Sequence, residues 1–304
     1  SKRCRVSIYG LNNYKPRKIT KLSHMRIKTG SSVVMSVAIF TIIAMLYKGA
    51  GLRQEIGILF GATSFVFGIT IAFLLTSRTN RLVQIRDVFN EDNANYVTIY
   101  SIASIFGKAI QTKLQKRLDD YLISQLDYFI ADFIYTKDEF DKVIADLISI
   151  KPKTQEQMSV YNSLLQMAHE MHVNRLRVIS LARDRLSPYE WFVAISLAMS
   201  VLISIFYMNS NTFISQAISV LLATAVVALV FVLRDIDTLS WKEEEWNWAV
   251  INETFIEIDL LPYYPDDILK SSKAKVAKRQ KIRIATYTKP YPNMAGKVVK
   301  IKTM

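Results

Sequence analysis

The sequence predicts an all-α integral membrane protein, with four transmembrane helices in two hairpins and a long-helix cytoplasmic domain between them. Three observations predict it. Residues 31–47, 56–76, 191–207 and 213–233 hold no charged side chain, and each stretch comes close to the roughly 20 residues a helix needs to cross a bilayer. The links inside each pair, 48–55 and 208–212, are too short for anything but a hairpin turn. Between the pairs lie more than a hundred residues whose apolar positions recur at helical spacing.

The first stretch is too long for a signal-peptide core, follows a long basic run and precedes no small-residue cleavage site, so it is expected to stay in the protein as a span. Before the third stretch, Ser187, Pro188 and Glu190 fit an N-cap, a first helical residue and the closing acid of a capping box. In the middle region Leu82, Ile85, Phe89, Tyr96 and Ile99 begin a periodic run that continues to Phe133. No Gly or Pro interrupts residues 108–150, and a polar linker with Pro152 precedes a second long helix over 156–186. No breaker separates the second span from residues 78–86, so that helix is expected to run on into the domain. The predicted order is a basic N-terminal segment (1–30), hairpin 1 (31–77), the helical domain (78–187), hairpin 2 (188–234) and a C-terminal segment with a basic tail (235–304).

The 304 residues are 51% hydrophobic and 21% charged, with a formal net charge of +13. That charge belongs to the ends: residues 1–30 carry nine basic residues and no carboxylate, and eleven basic residues follow Asp267 without an acid. Such runs beside hydrophobic spans gain about 1 kcal/mol per charge from anionic headgroups, which favours lipid over nucleic acid as their partner. Arg78, Arg81 and Arg86 after the second span, and Arg175, Arg177, Arg183 and Arg185 before the third, place both termini and the middle domain on the cytoplasmic side of the inner membrane. Cys4 is the one cysteine, which excludes an intrachain disulfide.

Nothing in the sequence suggests an enzyme: there is no phosphate-binding glycine loop, nucleophile elbow, zinc-protease signature or paired-cysteine motif. His169 and His172, with Glu170 between them, face one side of a helix and form a weak metal candidate. Asp235, Asp237, Glu243, Glu244 and Glu245 gather past the fourth span as a candidate hard-cation site, calcium being the one cofactor it suggests, against the simpler reading of a solvated turn. No span contains an acid, a base or a histidine, which argues for passive permeation over proton-coupled transport. In the second span Gly57, Gly61, Gly68 and Ala72 form a small-residue stripe suited to close helix packing. Beside it Phe65, Ile69 and Phe73 form a bulky stripe, which either faces lipid or constricts a pore shared by several copies.

In the order of its parts the chain resembles the bestrophin superfamily, above all its bacterial four-span branch. Residues 68–86 (GITIAFLLTSRTNRLVQIR), with Arg78, Asn80 and Arg81, are similar to the family's second helix and its cytoplasmic extension. Arg175, Arg177, Leu186, Ser187 and Pro188 resemble the arginine-rich helix before the third span, and residues 233–246 sit where bestrophins carry an acidic, aromatic motif. The family's Trp and Glu after the second helix are replaced by Leu82, Val83 and Gln84, and its acidic-Pro-Phe element by Asp237, Thr238, Leu239 and Ser240, which leaves calcium control without its motif. The resemblance implies a homopentameric channel for small monovalent ions, anions such as chloride or cations. Its second helices would line a pore narrowed at Phe65, Ile69 and Phe73. The competing expectation is a membrane-anchored signalling or scaffold protein whose helical domain binds a partner.

Overall fold

The computed structural model describes residues 29–51, 53–128, 130–239, 246–270, 276, 279–289 and 295–304. The basic N-terminal segment up to residue 28, Glu243, Glu244 and Glu245, and Lys273, Lys275 and Lys278 lie outside the described residues.

The first apolar stretch forms α1 (Thr29–Leu46), which lies along α7 (Phe213–Asp237). Phe40 of α1 stacks on Phe206 of α6 (Pro188–Tyr207) at 5.7 Å between ring centroids. The two hairpin links meet: the backbone N–H of Ala50 donates to the carbonyl of Tyr207 at 2.9 Å, and a side chain at Gly49 would collide with the carbonyl of Asn209. Gly49 is therefore needed for its lack of a Cβ, which lets two backbones touch.

With no proline inside it, α2 (Gln54–Ala103) runs unbroken for 50 residues, about 75 Å at 1.5 Å per residue. The apolar window takes its first half and the helical domain its second, as the absence of a breaker predicts. It ends in a 3-10 turn at Ser104–Phe106 and at Gly107, whose φ of 108° suits only glycine.

From Gly107 the chain reverses into α3 (Lys108–Asp127), followed by a 3-10 segment (Ile130–Thr136), α4 (Lys137–Ile148) and α5 (Gln155–Arg183). Leu114, Leu118 and Leu122 of α3, Phe140, Val143 and Leu147 of α4, and Leu164 and Met171 of α5 close on Tyr96 and Ile99 of α2 in one core. Thr154 caps α5 by accepting the Gln157 N–H. At α6 the capping box is complete: the Ser187 hydroxyl accepts the Glu190 N–H at 3.3 Å, and the Ser187 N–H donates to the Glu190 carboxylate at 2.7 Å.

Beyond the fourth apolar stretch the all-α expectation fails. After α8 (Trp246–Glu257) come β1 (Tyr263–Pro265), α9 (Asp266–Lys270), β2 (Lys281–Thr286) and β3 (Val298–Thr303). They form a sheet in the order β1-β2-β3, with β1 parallel and β3 antiparallel to β2. Alternating apolar and basic residues in KIRIAT and VVKIKT carry the period of two that strands require. The sheet is clasped to α3. Arg283 donates to Asp119 at 2.8 Å, and Asp127 takes the Lys297 ammonium and the Tyr263 hydroxyl, each at 2.6 Å. Two residues of the basic tail thus neutralise acids of the helical domain.

Among the described residues three helices are able, by length and composition, to cross a membrane: α6, α7 and the helix of Gln54–Phe106. The described apolar stretch of α1, Ser32–Leu46, is shorter.

Candidate pore face and charged junction

One face of α2 is fixed by the chain itself. Phe67, Ile71 and Leu74 are buried, packed with Ala194, Ala198, Val201 and Ile205 of α6 and Val226 and Leu233 of α7. A helix holding that face inward turns the positions between outward, because residues three and four apart share a side. Phe65, Ile69 and Phe73 accordingly remain 69%, 56% and 73% exposed. Among the described residues, the bulky stripe faces away from the other elements of its chain.

The small-residue stripe behaves differently from its expected role in helix packing. A Cβ at Gly57, Gly61 or Gly68 would meet nothing within 4 Å, and Ala72 is exposed. Small residues that do sit at helix contacts inside the chain include Ala44 on α1, Ala194 and Ala198 on α6 and Ala223 on α7, all buried. The glycines lie about 80° to 120° around the helix from Ile69, on the flank of the bulky stripe rather than on it.

Where α2 leaves the apolar layer it is tied by charge. Arg78 Nη1 donates to the Asp184 carbonyl at 3.0 Å and stands 3.4 Å from the Asp184 carboxylate and 3.9 Å from that of Asp237. Arg81 donates to the same Asp184 carbonyl and, at 3.1 Å, to the Asp237 carbonyl, with its guanidinium 3.6 Å from the Asp237 carboxylate. Asp237 also accepts the Leu186 N–H at 2.9 Å. Arg81 and Asp237 are each 3% exposed. Burial pulls the Arg81 guanidinium below its usual range, and the adjacent Asp237 charge opposes that shift. The knot joins α2, the α5–α6 link and the end of α7. Asn80 is exposed and stands apart from it.

This geometry revises the candidate cation site. Asp237 is turned inward onto two arginines, so its charge is already compensated, while Asp235, two residues earlier on the helix, has contacts of its own. Among the described residues no group of three His, Cys, Asp or Glu side chains is placed to hold a metal. His169 and His172 are exposed on α5, Glu170 accepts from Gln166 at 3.0 Å, and the His172 ring lies 6.0 Å from that of Phe140. Two side chains from one helix without a third ligand do not enclose an ion.

The helical domain holds two buried polar centres, one at Arg175, which the sequence marks only as part of an arginine-rich helix, and one at Asp92, which no motif marks. Arg175, 4% exposed, donates to the Thr136 hydroxyl at 2.6 Å and to the Phe133 carbonyl at 3.0 Å, and lies 5.0 and 5.2 Å from the Phe133 and Phe140 rings. On α2, well below the apolar window, Asp92 accepts from Asn174 at 3.0 Å and from the Tyr96 hydroxyl at 3.3 Å. Burial pushes the Asp92 carboxyl up to about 7, although both hydrogen bonds favour the charged form. Folded protein thus holds a proton that the unfolded chain releases near pH 4, so stability falls as pH rises through the interval from about 4 to about 7. Asp92→Asn is expected to flatten that fall, worth on the order of a few kcal/mol. Thermal melts of the detergent-solubilised protein between about pH 5 and about pH 8 check it, and parallel curves for wild type and variant would refute it.

A family model described as Bestrophin-like domain matches residues 30–238. Crystal structures of a bacterial bestrophin homologue from Klebsiella pneumoniae share the fold. One mutant form gives a TM-score of 0.62 at 8% identity, covering 75% of this chain and 98% of that one. A second mutant form gives 0.59 at 10% identity, covering 76% and 97%. A third structure of the homologue gives 0.57 at 9% identity, covering 77% and 100%. No curated protein matches the chain in sequence.

Proposed function

Because the chain belongs to the bestrophin-like family, we propose that it is an oligomeric ion channel in which several copies, five by the family resemblance, set α2 around a common axis. The observation that carries this reading is the outward stripe of Phe65, Ile69 and Phe73 on a helix whose opposite face is buried against α6 and α7. Three bulky apolar layers around an axis form a neck that excludes water when narrow and passes ions when wetted. Four spans, α1 included, bring both termini and the helical domain to the cytoplasmic side of the inner membrane, in line with the charge asymmetry. Exposed Arg279, Lys281, Lys289, Lys300 and Lys302 are left to meet anionic headgroups.

The scaffold reading draws on α5, where Met158, Leu165, Val173 and Leu176 are exposed apolar residues on a helix outside the membrane. One set of measurements separates the two. Purified protein is expected to form rings with a central hole and to conduct ions after reconstitution. With Cys4 replaced, a cysteine at Ser210 should label from outside intact cells and one at Gln155 only after permeabilisation. Single-copy particles that never conduct would leave the scaffold reading, and labelling at 155 from outside would overturn the topology.

A further inference from the structure

We propose that α2, α6 and α7, at their ends nearest the hairpin links, hold a site for a membrane glycerophospholipid, whose phosphate meets the start of α7 and whose acyl chain enters the cleft beneath it. A cavity of about 380 Å³ lies there. Its walls are apolar: Phe60 of α2, Ile205 and Met208 at the end of α6, and Ile214, Ile218 and Leu222 of α7. The remaining lining residues, Ser210, Thr212, Ser215 and Ser219, all carry hydroxyls, and no charged side chain takes part. Apolar walls with a few converging polar groups are the make-up of a ligand site.

Two sets of polar groups at this cleft lack partners. Ser219 lines the cavity and is 5% exposed, yet among the described residues its hydroxyl has no hydrogen-bond partner. Ser36 and Ser204, also buried in apolar helices, turn back onto the carbonyls four residues earlier, each at 2.9 Å. Ser219 does not, and its hydroxyl is left for whatever enters the cleft. A buried hydroxyl without a partner forfeits the hydrogen bonds it made to water, and an acceptor on a ligand restores one. The second set is backbone. Thr212 caps α7, its hydroxyl accepting the Ser215 N–H at 3.3 Å and its carbonyl the Gln216 N–H at 2.9 Å. Among the described residues nothing accepts the N–H groups of Phe213 and Ile214, which point out of the start of the helix, where a phosphate is favoured.

Depth selects the class of ligand. At 1.5 Å per residue Ser219 lies roughly 9 Å into α7, and Phe60 roughly 9 Å into α2, while headgroups occupy about 5 to 8 Å on each side of the hydrocarbon. Ser219 therefore stands where a glycerolipid carries its ester carbonyls, which accept hydrogen bonds and donate none. Ile214, Ile218 and Leu222 are 71%, 52% and 45% exposed, so the cleft opens onto the apolar surface of the helices and a chain can enter from the side. At its polar end the two hairpin links clasp each other: the Ala50 N–H donates to the Tyr207 carbonyl at 2.9 Å, and Asn211 Nδ2 to the Gly49 carbonyl at 3.4 Å. That clasp holds exposed Lys48 and Arg53 beside the hydroxyls, with Glu55 the one acid of the same stretch, a balance that suits a phosphate. Under the topology proposed above the lipid belongs to the outer leaflet; the site itself requires only that these helices span a membrane and stands whether or not the protein conducts.

Native mass spectrometry of the delipidated, detergent-purified protein, titrated with palmitoyl-oleoyl phosphatidylglycerol, tests the site. A single lipid per chain should survive the collisional activation that strips loosely attached molecules. Dioleoylglycerol, with esters and chains but no phosphate, should bind several-fold more weakly, and glycerol phosphate, with no chains, should not be retained. Ser219→Ala should weaken phosphatidylglycerol several-fold through the hydrogen bond it removes. Leu222→Trp, which fills the cleft from its exposed rim, should abolish retention, whereas Leu221→Trp, one residue earlier and outside the cleft, should not. Oligomer size and melting temperature are compared with wild type for each variant, and Ser219→Ala with the lipid series carries the test if a Trp variant fails to assemble. Retention that neither Ser219→Ala nor Leu222→Trp alters marks lipid bound elsewhere on the apolar surface and overturns the site. Equal binding of dioleoylglycerol overturns the phosphate contact. A wild type that keeps no lipid, the result expected if side chains of a second copy fill the cleft, overturns the proposal outright.

Discussion

Replacing Phe65, Ile69 and Phe73 by alanine is expected to raise ion flux through liposomes holding the reconstituted protein. A narrow apolar passage blocks ions because they would have to shed water with nothing polar to replace it, so widening the layer until water enters removes the barrier. Each single change should open one layer and the triple change should give the largest flux. Leu221 on α7, 70% exposed and away from the stripe, provides the comparison: Leu221→Ala should leave flux unaltered. In the isolated chain the three side chains touch little, so their truncation costs stability only where they meet other copies. A Phe→Ala change there would cost about 3 kcal/mol, and oligomer size must be verified before a loss of flux is interpreted. Silent wild type together with assembled, equally silent variants would end the channel reading.

Much of the fold was legible because it rests on local rules. Ser187, Pro188 and Glu190 form the capping box their spacing predicts, and the missing breaker after the second apolar stretch gives the continuous α2. Family resemblance through Arg78 and Arg81 pointed to residues that matter, although it gave no reason for them. Their role depends on Asp184 and Asp237, which lie more than a hundred positions away and become partners only when α5, α6 and α7 converge. The same distance hid the fate of Asp237, which resembles a surface acid in a sequence and is one of the most enclosed carboxylates in the structure. The C-terminal sheet was obscured by its own charge: Arg283 and Lys297 look like part of a lipid-facing tail until Asp119 and Asp127 are brought beside them. Burial of Asp92 is likewise set by tertiary contacts with Asn174 and Tyr96. The bulky stripe lies between these cases. Its spacing was plain, but its outward direction required knowledge of which face of α2 packs on α6.

The second large effect is expected at the junction that holds this face in place. Arg81→Ala would leave the Asp237 carboxylate buried, supported by the Leu186 N–H at 2.9 Å and by Arg78 at 3.9 Å. A charge stranded in this way costs about 3 to 5 kcal/mol, because the lost attraction is no longer set against the penalty of removing the ion from water. Asp237→Ala strands Arg81 in the same manner and also orphans the Leu186 N–H. Removing both partners removes both penalties, so Arg81→Met combined with Asp237→Leu should recover much of the stability lost by either single change. Asn80→Ala, at the exposed neighbouring position, should fall within about 0.5 kcal/mol of wild type. Thermal unfolding in detergent, followed by tryptophan fluorescence, measures the series. Function should follow the same order, since the knot fixes the rotation of α2 just below Phe73 and so, in the proposed channel, sets which side chains would meet the axis. Wild-type melting of Arg81→Ala, or a double variant no better than the sum of its parts, would show that α2 is held by its apolar contacts with α6 alone.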